Sequence, residues 1–182
     1  MLYSLILACT LDGGIGLNNN IPWTIPEDLK LFKKITTDVN CLFKKNAIIM
    51  GRKTWDSLCY KPLKDRINIV ITSTPNIIKT NNDDVLAFNN FDNALKYCEN
   101  SIHIDKVFVI GGKTLYDLCL NNEYYSRRID YINISIIKQK KHCDTYIDLK
   151  YILTKYKKYN IYDILFDSNF IYLKLINSNR YY

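Results

Sequence analysis

Asp28 is the residue whose surroundings most call for a chemical explanation. It stands at the start of a helix-forming segment, Ile21-Pro22-Trp23-Thr24-Ile25-Pro26-Glu27-Asp28-Leu29-Lys30-Leu31-Phe32. Thr24 followed three residues later by Glu27 reads as a capping box. Pro26 falls in the first turn, where a missing N–H costs little. Glu27 is thereby accounted for as structural. Asp28 lies one position beyond the box, with Phe32 four residues on. Two readings stay open. A solvated acid there complements the helix dipole. A carboxylate in an apolar pocket instead needs partners, or its pKa shifts and it goes neutral. A ligand with a planar N–C–N edge supplies two parallel donors, the geometry carboxylates favour.

Two further places suit phosphate. Val107-Phe108-Val109-Ile110-Gly111-Gly112-Lys113-Thr114-Leu115-Tyr116 reads as strand, glycine pair, helix. A helix N-terminus offers free N–H groups to an anion, and glycines let it approach the backbone. A plain tight turn explains the glycines as well, and the spacing is not the G-x-G-x-x-G fingerprint of a Rossmann domain. Ala47-Ile48-Ile49-Met50-Gly51-Arg52-Lys53-Thr54-Trp55 repeats the arrangement with two cations. Arg52 and Lys53 suit a phosphate monoester, although a solvated basic pair is the plainer reading. A third strand ends in Thr72-Ser73, two hydroxyl donors. In a parallel sheet these strand ends line one edge, where ligands bind.

The elements that must position these residues alternate. Strands are predicted over Tyr3 to Ala8, Ala47 to Gly51, Ile67 to Ser73, Val85 to Phe88, Lys106 to Ile110 and Ile129 to Ile136. Asn160 to Phe166 and Phe170 to Ile176 flank Asp167-Ser168-Asn169 as a hairpin. Helices are predicted over Glu27 to Ile35, Thr54 to Leu58, Asp92 to Glu99 and Thr114 to Leu120. The alternation implies an α/β fold: one domain over 1–182, with an eight-stranded, mainly parallel sheet, helices on both faces and a C-terminal antiparallel hairpin. Asp12 to Asn20 and Thr74 to Asp84 read as polar, mobile loops, and 177–182 as a frayed tail.

Composition narrows the setting. The 182 residues are 48% hydrophobic, which is globular and not disordered. A net charge of +7 suits an anionic partner without choosing between small phosphates and nucleic acid. Six cysteines form no C-x-x-C pair and only two histidines are present, so no zinc site is expected. Cys9, Cys98 and Cys119 fall in apolar runs and read as buried free thiols of a reducing compartment, the cytosol. The start reads as a core strand, not a signal peptide, and no run reaches transmembrane length.

Taken together, Gly14-Ile15-Gly16, Ile21-Pro22-Trp23, Pro26-x-Asp28, Met50-Gly51-Arg52-Lys53-Thr54-Trp55, Pro62-Leu63-Lys64-Asp65-Arg66 and Val109-Ile110-Gly111-Gly112 resemble the dihydrofolate reductases in type, order and spacing. The resemblance runs from about Leu5 to Asp148. It implies NADPH-dependent reduction of 7,8-dihydrofolate to tetrahydrofolate, in support of one-carbon metabolism. It places Asp28, Trp23 and Ser135 in the catalytic set, with Asp28 gripping the pterin 2-amino group and N3. Ile6, Leu7, Leu29, Phe32, Leu58, Leu63 and Ile110 would line the substrate, and Arg66 would pair with its α-carboxylate. Ala8, Ile110 and Tyr116 would frame the nicotinamide. Gly111 and Gly112, joined by a cis peptide in the family, would meet the pyrophosphate with Lys113, Thr114 and Leu115. Gly51, Arg52, Lys53, Thr54, Thr72 and Ser73 would hold the adenosine half. Ile15, Gly16 and Leu17 would bind the cofactor as part of a lid, Gly13 to Trp23, that closes over the nicotinamide. Dihydrofolate and antifolate inhibitors are the implied ligands of a cytoplasmic monomer, with no metal and no membrane.

Two positions depart from the family pattern. Ser135, placed by counting back from Asp144-Thr145, stands where threonine is usual, and it keeps the hydroxyl. Asp65 stands where glycine is common, and aspartate tolerates a left-handed turn. Three rivals remain: a pyrimidine reductase on the same fold, an inactive scaffold, and a nucleic-acid binder. The last would use Lys138-Gln139-Lys140-Lys141, a run otherwise read as solvated. The Trp23 to Phe32 segment, Arg66 and the glycine pair weigh against the first two.

Overall fold

The computed structural model describes residues 1–78, 82–156 and 158–176. Eight strands form one sheet: β1 (Tyr3–Thr10), β3 (Lys45–Gly51), β4 (Arg66–Ile71), β5 (Val85–Phe88), β6 (Ile104–Val109), β7 (Ile129–Ile137), β9 (Lys158–Phe166) and β10 (Phe170–Ile176). Their order is β5-β4-β3-β6-β1-β7-β10-β9. β1 and β3 to β7 pair in parallel, and β10 runs antiparallel to both β7 and β9. This is the expected α/β architecture. The expected tail, 177–182, lies outside the described residues.

A second, two-stranded sheet was not anticipated. β2 (Gly14–Gly16) pairs antiparallel with β8 (Thr145–Tyr146), so part of the predicted 12–20 loop is a strand. The helices are α1 (Pro26–Thr37), α2 (Arg52–Ser57), α3 (Phe91–Asn100), α4 (Lys113–Asn121), α5 (Glu123–Ser126) and α6 (Leu149–Lys155). The predicted capping box does not form. The N-cap of α1 is Ile25, in extended conformation, with no side-chain cap. Pro26 is the reason: the residue before a proline is driven out of the helical region, so the helix boundary falls at Ile25 and Thr24 is left outside.

Strand alternation splits the core into two faces. Leu5, Leu7 and Cys9 of β1 pack with Val107, Val109, Leu115, Tyr116, Ile132, Ile134 and Ile152 on one face. Ile6 faces the other way, with Ile48, Met50, Trp55, Val70 and Phe108, against Phe32 and Ile35 of α1. Two buried asparagines fix the ends of this second face. Asn46 Nδ2 donates to the carbonyls of Thr36 (3.0 Å) and Asp38 (2.9 Å), tying down the C-terminus of α1. Asn68 accepts from the Leu63 N–H (2.9 Å) and donates to the Leu63 and Arg66 carbonyls (3.0 and 2.9 Å), holding the loop that carries Leu63. Backbone groups that a loop leaves unpaired must find such partners when buried.

Candidate active site

The cleft opens where the sheet comes apart. β1 pairs with β6 only at Ser4↔Phe108 and Leu5↔Val109, whereas its ladder with β7 runs on to Thr10↔Ile137. Beyond Val109, β6 stays with β3 and leaves a gap beside Ile6, Leu7 and Ala8, with Ile110 N–H donating to the Ile49 carbonyl at 2.9 Å. Tyr116 of α4 reaches into the gap and donates from its hydroxyl to the Ile6 carbonyl at 2.8 Å. Burial pushes its phenol well above the ordinary range, so it acts as a neutral donor. A crevice at the C-terminal ends of parallel strands is where α/β sheets bind ligands.

Asp28 lies on the inner stripe of α1. Leu31, Phe32, Ile35 and Thr36 follow it at i+3, i+4, i+7 and i+8, while Glu27, Lys30, Lys33 and Lys34 point outward. That stripe is the signal by which the sequence marks Asp28 as inward-facing. Ser135 meets it from the sheet. Ser135 pairs with Ala8 on one side and Tyr172 on the other, and its side chain hydrogen-bonds the Asp28 carboxyl. Burial raises the Asp28 pKa, and the Ser135 hydrogen bond opposes this more weakly. No cation pairs with Asp28 among the described residues. The acid is therefore desolvated and only half satisfied, a state relieved by a ligand with parallel N–H donors.

Around it the lining is apolar. Trp23 is buried beside Ile25, Ile137 and Phe170, with Ala8, Leu31 and Tyr172 against them. Ile6, Phe32, Leu58, Leu63 and Ile110 gather on the α1 face. Leu7 does not join them: it packs on the opposite face with Leu5 and Cys9, so only its backbone borders the cleft. Leu29 falls off the inner stripe and is 55% exposed. Arg66 ends the groove, only 4% exposed. Its Nη1 donates to Thr36 Oγ1 (2.7 Å), its Nε donates to the Lys64 carbonyl (2.9 Å), and its guanidinium lies 5.8 Å over the Phe32 ring. No carboxylate pairs with it among the described residues, and desolvation draws its pKa down. Asp65 beside it holds the left-handed turn, at φ 63°. Thr36 went unremarked in the sequence. A threonine on the inner stripe, four residues beyond Phe32, was the available signal.

The opposite wall is backbone. The Gly111–Gly112 peptide is cis, and Gly111 has φ 110°. A Cβ on Gly111 would lie 3.1 Å from the Tyr116 ring, and one on Gly112 would lie 3.2 Å from Thr54 Oγ1. The Gly51 N–H donates to the Gly111 carbonyl at 2.7 Å, so the two predicted phosphate turns touch. α4 begins at Gly112 with no side-chain cap. Its Leu115 and Tyr116 N–H groups return to the Gly112 carbonyl (3.0 and 3.1 Å). Leu115 itself is buried in the core. Arg52 is engaged by Asp56 and Lys113 by Asp117, while Lys53 is exposed. Thr72 is buried and Ser73 exposed at the end of β4. A bare helix start, glycines that leave space, and nearby cations fit a dinucleotide's phosphates.

The 12–20 segment follows β1, and its anchoring is not apparent in the sequence. The Gly14 N–H donates to Thr10 Oγ1 at 2.9 Å, and a Cβ there would meet Cys143 Sγ at 2.5 Å. Leu17 and Asn20 close a tight turn with reciprocal backbone bonds, while Asn18 and Asn19 adopt positive φ. The Asn18 N–H donates to Asp144 Oδ2 at 2.7 Å, and the Asp144 N–H to the Gly16 carbonyl at 2.9 Å. Ile15 and Gly16 are half-buried.

Fold and site define a class: an α/β domain with a desolvated carboxyl and a pair of glycine turns at the split end of a mainly parallel sheet. The chain belongs to the dihydrofolate reductase family, oxidoreductases that reduce dihydrofolate to tetrahydrofolate with a nicotinamide cofactor; the family's model, described as "Dihydrofolate reductase", matches residues 2–164. A dihydrofolate reductase of Pneumocystis carinii is 35% identical over 159 residues, covering 81% of this chain and 74% of the relative. That of Heliothis virescens is 35% identical over 146 residues, covering 79% and 77%. Bifunctional dihydrofolate reductase-thymidylate synthase 1 of Arabidopsis thaliana is 37% identical over 153 residues, 80% of this chain but only 28% of that protein. The chain thus corresponds to about a quarter to a third of the bifunctional relatives it matches.

Among the described residues no helix is long and apolar enough to cross a membrane, and no cluster suits a metal ion.

Proposed function

We propose that this chain reduces 7,8-dihydrofolate to 5,6,7,8-tetrahydrofolate with NADPH, and that Asp28 is the group that grips the pterin. The carrying observation is the half-satisfied carboxyl of Asp28, desolvated against apolar neighbours and hydrogen-bonded by Ser135. A pterin's 2-amino group and N3–H are the parallel donors that would complete it.

NADPH, when bound, supplies the hydride for pterin C6. The protein's own groups do the rest. Asp28 orients the ring and favours its protonated form, while Ser135 holds the carboxyl in place. The proton for N5 comes from water, since Asp28 sits at the far side of the ring. Trp23 and the 12–20 segment exclude bulk solvent from the cleft. Ile6, Phe32, Leu58 and Leu63 enclose the pterin and benzoyl groups, and Arg66 takes the α-carboxylate. The Ala8 and Ile110 backbone, with Tyr116, borders the nicotinamide. Gly111, Gly112, Lys113 and Thr114 receive the pyrophosphate. Arg52, Lys53, Thr54 and Ser73 receive the 2′-phosphorylated adenosine, which favours NADPH over NADH. Six free cysteines support a reducing, cytoplasmic setting.

The test is absorbance at the NADPH band with both substrates present, with and without a diaminopyrimidine inhibitor. Oxidation of NADPH that requires dihydrofolate and is blocked by the inhibitor supports the proposal. Absence of dihydrofolate-dependent oxidation contradicts it.

A further inference from the structure

α2 and α4, the two helices that begin at the glycine wall, differ electrostatically from the others. α1, α3 and α5 carry acids in the first turn (Glu27 and Asp28, Asp92, Glu123), and α6 has Asp148 as its N-cap. α2 and α4 have no acid in the first turn; instead Arg52, Lys53 and Lys113 stand there. A cation at this end is opposed by the helix dipole.

In both helices an aspartate one turn further along takes up the cation. Arg52 Nε donates to the Asp56 carboxylate at 2.9 and 2.7 Å. Lys113 Nζ donates to Asp117 Oδ2 at 2.6 Å. With the cation N-terminal to the acid, these are the weaker of the two i,i+4 orientations. Side-chain exposures of 36% and 50% in one pair, and 46% and 39% in the other, leave both screened by water. Such pairs exchange readily for a better anion. A phosphate carries more charge than a carboxylate and also accepts from the backbone of the glycine wall.

We infer that Asp56 and Asp117 compete with the cofactor's phosphates for Arg52 and Lys113, and that Asp56 limits discrimination between NADPH and NADH. The inference rests on the dinucleotide reading of this wall. The two aspartates have separable consequences. Arg52 serves the 2′-phosphate, which only NADPH carries. Lys113 serves the pyrophosphate, which both dinucleotides carry.

The experiment is equilibrium titration of the full chain with NADPH and with NADH, comparing wild type, Asp56→Asn and Asp117→Asn at low salt. Asp56→Asn should tighten NADPH binding about two- to fivefold and leave NADH unchanged, the factor expected for releasing one exposed pair. Asp117→Asn should tighten both by a similar factor, leaving their ratio fixed. The gain in each variant should shrink at about 0.5 M salt, where the Debye length falls to a few ångströms. Unchanged or weaker NADPH binding by Asp56→Asn overturns the inference, weaker binding showing that the aspartate positions Arg52 and does not compete for it. Failure of the folded wild type to bind either dinucleotide overturns the reading of the wall, and the inference with it.

Discussion

Replacing Gly111 with alanine tests how the split in the sheet is held. Gly111 has φ 110°, a region that alanine enters at a cost of about 1–3 kcal/mol. The new Cβ would also lie 3.1 Å from Cε2, Cζ and the hydroxyl oxygen of Tyr116. That ring has little room to yield, because Tyr116 is only 5% exposed. Moving it breaks the hydrogen bond to the Ile6 carbonyl, and a buried acceptor left unpaired costs about 1–3 kcal/mol. Gly111→Ala should therefore lose about 2–6 kcal/mol, seen as a lower urea midpoint at unchanged slope. Tyr116→Phe removes the same hydrogen bond without strain and should lose about 1–3 kcal/mol. If both act through the Ile6 carbonyl, the double variant will lose less than the two summed. A Gly111→Ala loss under about 1 kcal/mol, or additivity within about 0.5 kcal/mol, refutes the reasoning.

Arg66→Ala should weaken dihydrofolate binding by about 1.5–3 kcal/mol, the range for a charged hydrogen bond; an unmoved Kd removes Arg66 from the substrate site. Asp144→Ala should free the Asn18 anchor and slow single-turnover hydride transfer severalfold, with stability close to that of wild type because the contact is exposed. Equal single-turnover rates would separate that anchor from catalysis. Asp28→Asn should raise stability near neutral pH by about 0.5–2 kcal/mol. The sign follows from burial, which raises the Asp28 pKa. Its contribution to stability is full below the unfolded-state value of about 3.9 and is lost as pH rises through the folded value. The advantage of Asp28→Asn should thus vanish in acid, and urea midpoints across pH will show whether it does.

Long elements were legible because their patterns run for many residues. β5 and β10 fall within the predicted bounds, and β1, β3, β7 and β9 extend beyond theirs by one or two residues at an end. β2, β8 and α5 span two to four residues, too few for periodicity to register. They form through tertiary contacts, as when the Gly13 carbonyl accepts the Ile147 N–H at 2.9 Å. α6, capped by Asp148, spans only seven residues, too short for a helical period to stand out. In the site, Asp28 and the glycine pair stood out chemically. The side on which each neighbour falls was less visible. Leu7 and Leu29 have the right type and the wrong face, since alternation in β1 turns Leu7 to the far core and helical spacing puts Leu29 outside the stripe. The partners of Arg66 and of the 12–20 segment lie 30 and 126 residues away in sequence, at Thr36 and Asp144. Only the folded chain brings them together.

The pH profile of the hydride step in Asp28→Asn, measured in a single turnover with both substrates bound, probes the role of this half-buried acid most closely. A drop of about 10²-fold at pH 7 that narrows steadily toward acid, as dihydrofolate arrives already protonated, is the expected result. A variant that matches wild type at pH 7, or a deficit that stays constant across pH, would contradict the assignment.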